Sequence, residues 1–72
     1  MLLRFDVFGK KMAVQRQEDE WWLFQESNTG LRARIYEVVI PADLTEDQIA
    51  TFLADMYHEN ANKLHPAVVR LD

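Results

Sequence analysis

A chain of 72 residues with no cysteine, a formal charge of -4 and 49% apolar side chains has room for one domain and one core. Disulfides, thiol chemistry and cysteine-based zinc sites are excluded, and the ordinary apolar fraction with modest charge excludes wholesale disorder. A domain of roughly 60 residues buries only about 60% of its unfolded surface, so any further apolar burial matters to its stability.

The first strand-like segment is residues 2–8, where Leu3, Phe5 and Val7 alternate with Arg4 and Asp6 in the two-residue period of a half-buried strand. The two charges also interrupt the apolar stretch a signal peptide needs, and no run approaches the roughly 20 residues of a membrane span. A cytoplasmic protein with no membrane partner is the expectation. Gly9-Lys10 reads as a tight turn, because glycine tolerates positive φ. The second segment, residues 11–17, places Met12, Val14 and Arg16 on one face and Ala13 on the other. Glu18-Asp19 is the next turn. The third segment, residues 20–26, holds Trp21, Trp22, Leu23 and Phe24 in a row, and Ser27-Asn28-Thr29-Gly30 follows as a turn in which Asn and Gly suit left-handed backbone.

In the fourth segment, residues 31–40, Leu31, Ala33 and Ile35 share one face. The phase then flips, and Tyr36, Val38 and Ile40 become the same-face set. A bulge near Ile35-Tyr36, or a break into two strands, accounts for the flip. Pro41 ends the segment. Thr45-Glu46-Asp47-Gln48 then fits a capping box, with Leu44 and Ile49 as its hydrophobic staple. Ile49, Phe52, Leu53 and Met56 continue the i, i+3, i+4, i+7 pattern of an amphipathic helix over residues 45–60. Pro66 forbids helix beyond about residue 64, and residues 61–72 form a C-terminal arm in which 67–71 can add a short strand.

The expected architecture is α+β: residues 1–72 form one domain, an antiparallel four-stranded β-meander with the C-terminal helix packed on one face. One helix covers only one face of such a sheet. Yet Trp22 and Phe24 point one way and Trp21 and Leu23 the other, Val38-Val39-Ile40 repeats the pattern, and Phe8 falls opposite Phe5. A second apolar surface is therefore expected, with Phe8, Trp21, Trp22, Phe24 and Val39 as candidate interface residues. Only one of the two tryptophans belongs to it, and the alternation does not say which. A second copy of the chain, the arm, or a ligand or partner protein can cover it. A homodimer is favoured, because symmetric dimers are the commonest oligomers.

Catalytic chemistry is thinly provided. Ser27 is the single serine and sits in a turn, and Gly9 and Gly30 are too far apart for a phosphate-binding loop. His58 falls opposite the apolar helix face, where it could join Asp55 and Glu59 in a weak metal site but is better read as a solvated group suited to the helix end. His65, before Pro66, reads as loop punctuation. Glu18, Asp19 and Glu20 read as a solvated turn, while Asp43, Glu46 and Asp47 favour the helix N-terminus. The expectation is no catalytic residue, no cofactor and no metal. Residues 1–36 carry six basic and five acidic groups, and residues 37–72 two and seven, so attraction to nucleic acid is weak. Arg4, Arg16, Arg32 and Arg34 could still line a stripe near a tryptophan, as in some single-strand binders.

Met1-Leu2-Leu3-Arg4-Phe5-Asp6-Val7-Phe8-Gly9, Val39-Ile40-Pro41-Ala42-Asp43-Leu44-Thr45 and Phe52-Leu53-Ala54-Asp55-Met56-Tyr57-His58-Glu59 resemble a group of short bacterial proteins of unknown function, some carried on mobile gene cassettes of integrons. The resemblance implies a compact sheet-plus-helix protein encoded by a complete small reading frame, and it transfers no catalytic residue. The functional expectation is a small non-enzymatic interaction protein that self-associates through its sheet. The alternatives are a small-molecule binding module on the same face or in a groove between protomers, and a weak single-stranded nucleic-acid binder.

Overall fold

The computed structural model describes residues 2–27 and 29–71. Met1, Asn28 and Asp72 lie outside the described residues, and with Asn28 the expectation of left-handed backbone there. The elements run β1 (Leu2–Val7), β2 (Lys10–Gln17), β3 (Glu20–Glu26), β4 (Arg32–Ile40), α1 (Glu46–Tyr57), a 3-10 turn (His58–Asn60) and β5 (Val68–Arg70). The sheet order is β4-β3-β2-β1-β5, antiparallel throughout. The sheet therefore has five strands where four were expected. The arm supplies the fifth: it pairs with β1 through Phe5 opposite Arg70 and Val7 opposite Val68, and adds to the sheet edge instead of lying across a face.

The first hairpin turns at Phe8-Gly9, one residue earlier than the sequence suggested. Both residues carry positive φ, 51° and 93°, the mirror-image turn that matches the right-handed twist of paired strands. Asp6 Oδ1 accepts a hydrogen bond from the Gly9 N–H at 2.7 Å. Leaving the strand at φ 51° carries Phe8 into the core and away from the second face. Gly9 is doubly constrained, because a Cβ there would lie 2.9 Å from His65 Cδ2. The His65 ring thus packs the arm onto the turn. Gly9→Ala should lower stability by at least about 1 kcal/mol from the left-handed backbone alone. In a His65→Ala background the loss should shrink toward that backbone cost. Urea midpoints of the four chains check this, and an equal loss in both backgrounds would refute the packing argument.

The second turn falls at Glu18-Asp19, as read, with Glu18 at φ 53°. The third is closed by Ser27 N–H to the Leu31 carbonyl at 2.9 Å and by Gly30 N–H to the Ser27 carbonyl at 3.1 Å.

The core lies between the inner sheet face and α1. Leu3, Phe5, Val7, Met12, Val14, Trp21, Leu23 and Ile40 meet Ile49 and Leu53, all buried. At the helix start, the Thr45 N–H donates to Gln48 Oε1 at 2.9 Å, and the Gln48 N–H to the Thr45 carbonyl at 3.0 Å. These bonds satisfy two donors that a helix N-terminus otherwise leaves open. Met56, part of the apolar periodicity, is instead half exposed, and Ala50, Phe52, Ala54 and Tyr57 pack at the core margin. Burial holds the Tyr57 phenol above its ordinary value, and the Glu37 carboxylate adds to this. Arg70 of β5 donates to Glu46 at 2.7 Å and ties the last strand to the helix. No described helix is long and apolar enough to cross a membrane.

Candidate functional site

Strand register settles which residues share the outer face. Leu2 faces Gln15, and Gln15 faces Trp22. Arg4 faces Ala13, Ala13 faces Phe24, and Phe24 faces Arg34. Ala13 is fully buried although it lies away from the helix. The larger residues Phe24 and Arg4 stand directly opposite it on either side.

The two tryptophans divide. Trp21 is in the core, where its indole N–H donates to the Leu44 carbonyl at 3.0 Å. The Arg16 guanidinium lies 4.8 Å from the Trp21 ring centroid and donates from Nη1 to the Ala42 carbonyl at 2.8 Å. Together these side chains clamp the connection between β4 and α1. Trp22 is half-buried on the outer face, 6.4 Å from Phe24, and its indole N–H donates to Glu20 Oε2 at 2.9 Å.

Of the five candidate interface residues, Phe8 and Trp21 are therefore core residues. Trp22 and Phe24 are adjacent and half-buried on the outer face. Val39 stands apart on β4, 78% exposed.

The irregularity expected in β4 is present as a register shift within one strand. Trp21 faces Ile40 and Leu23 faces Ile35, so β4 advances five residues while β3 advances two. Such bulges bend a strand and re-aim its side chains. The flip comes later than the sequence suggested: Tyr36 stays on the outer side with Arg34, whereas Val38 and Ile40 turn to the core. The displaced segment opens a groove of about 360 Å³. Its walls are mostly apolar, with Trp21, Ile35, Val38, Ile40 and Pro41 among them, and Glu20, Arg34 and Tyr36 also line it.

Arg34 and Tyr36 are the residues that sequence reasoning undervalued. The Arg34 guanidinium carbon sits 3.9 Å from the Trp22 ring centroid and 4.9 Å from that of Tyr36. Guanidinium planes stack favourably on aromatic faces. Arg32 lies 5.8 Å from the Phe24 ring and bonds Glu26 at 3.2 Å, while Arg4 pairs with Glu26 at 3.8 Å. The arginine–aromatic alternation was visible in the chain, but the pairing of Arg34 with Trp22 depends on register across the turn at 27–31.

The remaining polar candidates stay dispersed. His58 is exposed, its Nδ1 3.0 Å from the Asp55 carbonyl and not engaged with the carboxylate. Among the described residues, no three His, Asp or Glu are gathered to hold a metal ion.

No curated protein and no solved structure matches the chain closely enough to indicate a relationship. A family model does match, and it spans residues 2–72. On that match, the chain belongs to the family described as a domain of unknown function, DUF7661.

Proposed function

We propose that this is a small non-enzymatic binding protein whose contact surface is the outer side of β3 and β4, and that its partner there is a second copy of the chain. The observation that carries this reading is the exposure of Tyr36 (73%) and Val39 (78%) on an edge strand beside the half-buried pair Trp22 and Phe24. Single exposed apolar residues are ordinary, but Tyr36 shares the Arg34 guanidinium with Trp22, which adjoins Phe24. Charge supports a self-complementary partner. The outer side carries Arg32 on β4 and Glu20 and Glu26 on β3, so a two-fold axis can set the cation of one copy against the carboxylates of the other. Such an isologous contact closes on itself.

The Arg34–Trp22 contact weighs against single-stranded nucleic acid, because a base could stack on that indole only after displacing the guanidinium. A cytoplasmic setting is part of the same reading, as is a bacterial origin with carriage on mobile gene cassettes in some cases, which rests on the sequence resemblance alone.

Light scattering after size exclusion, at two well-separated concentrations, should give the dimer mass. Val39→Lys should weaken dimerisation at least tenfold, about 1.4 kcal/mol, and leave the circular dichroism spectrum unchanged. A monomer at every concentration would overturn the proposal.

A further inference from the structure

We infer that Arg34 is the anion-reading group of a ligand site in the groove beside it, and that the ligand is a singly charged carboxylate with an apolar body. This rests on the outer side of β3 and β4 being the binding surface, but not on the second copy.

Arg34 is held between Trp22 and Tyr36, at 3.9 Å and 4.9 Å from the two rings, with Nε buried and without a hydrogen-bond partner. Arg32 and Arg16, by contrast, donate to Glu26 and to the Ala42 carbonyl. Among the described residues no carboxylate pairs with Arg34. A half-buried cation without a carboxylate carries a desolvation cost that an arriving anion offsets. Stacking also fixes the plane of the guanidinium, so little side-chain freedom remains to be lost when its Nη groups take a ligand. A carboxylate matches that planar fork in two parallel hydrogen bonds.

The groove selects the rest of the ligand. Arg34 lines it together with the apolar side chains of Val38, Ile40 and Pro41, and its volume of about 360 Å³ admits a short aliphatic or aryl chain. Glu20 also lines it, with Oε2 already accepting from the Trp22 indole. A phosphate dianion would carry more charge toward that carboxylate and toward a chain of net charge -4. A monoanion with an apolar tail meets the cation and the apolar wall with less repulsion.

The test is a titration followed by nuclear magnetic resonance, reading the Trp22 indole N–H and the Arg34 Nε–H. The probes are hexanoate, its uncharged analogue hexanamide, and inorganic phosphate. Hexanoate should shift both signals saturably, and the other two should bind at least tenfold more weakly. Arg34→Gln should abolish the indole shift. Arg34→Lys, which keeps the charge and loses the fork, should weaken binding at least tenfold. The inference is overturned if hexanoate gives no saturable shift, if hexanamide or phosphate binds as well, or if Arg34→Lys binds like the parent chain. Solution mass recorded on the same samples separates the two proposals: a dimer blind to hexanoate sinks only this one, and a monomer that binds hexanoate sinks only self-association.

Discussion

Trp21→Ala should unfold the chain or leave it barely folded, whereas Trp22→Ala should leave the fold intact. Trp21 is buried between the sheet and the segment leading into α1, and Trp22 is half-exposed on the opposite face. Truncating a buried tryptophan costs about 3–5 kcal/mol. Loss of the indole N–H strands the Leu44 carbonyl, at about a further 1 kcal/mol. At about 0.05–0.15 kcal/mol per residue, a 72-residue chain has a total stability of about 4–11 kcal/mol. The loss at Trp21, about 4–6 kcal/mol, is therefore between roughly a third of that stability and all of it. Trp21→Phe keeps an aromatic ring but loses the indole N–H and part of the ring volume, so it should cost less than the alanine. Trp22→Ala removes the partner of Arg34 and Phe24 on the outer face, and its main effect should be on association and on hexanoate binding. Urea unfolding followed by far-ultraviolet circular dichroism reads all three variants. Equal destabilisation at the two positions would contradict the division into core and surface tryptophans.

Leu53→Ala should cost about 2–5 kcal/mol, and Met56→Ala should change stability by less than about 0.5 kcal/mol. Leu53 and Ile49 are the fully buried residues of α1, and α1 is the helix that covers the inner sheet face. A cavity at Leu53 lies at the centre of that contact, where the rigid sheet limits collapse. Met56 is half exposed. Hydrogen exchange should show the amides of α1 and β5 losing protection together in Leu53→Ala, because Arg70 and Glu46 tie the two elements. Retention of full protection in α1 would show that the helix docks by another route.

The contrast between Leu53 and Met56 shows how far periodicity reaches. Both belong to the same apolar series in the chain, and a helical wheel places them on one side. Which part of that side is covered depends on where the helix axis crosses the sheet. The strand periods, the turns at Glu18-Asp19 and Ser27–Gly30, and the Thr45 helix start were legible because each is a local matter of a few neighbouring residues. Phe8 was misplaced because its strand ends one residue early, in a left-handed conformation rarely taken by so bulky a side chain. The arm was left open between strand and tail, since three residues carry too little pattern to specify a pairing partner 60 or so positions away.

By itself, then, the sequence determined an antiparallel meander with one C-terminal helix and a surplus of apolar side chains beyond what that helix can cover. Local backbone preference and side-chain alternation are sufficient for those features. Only the tertiary structure decided which tryptophan is buried, that the arm completes a fifth strand, and that Arg34 lies against Trp22 and Tyr36 beside a groove. Each of these depends on register between strands. A shift of one residue in pairing exchanges the two faces, and only packing over the whole sheet fixes that choice.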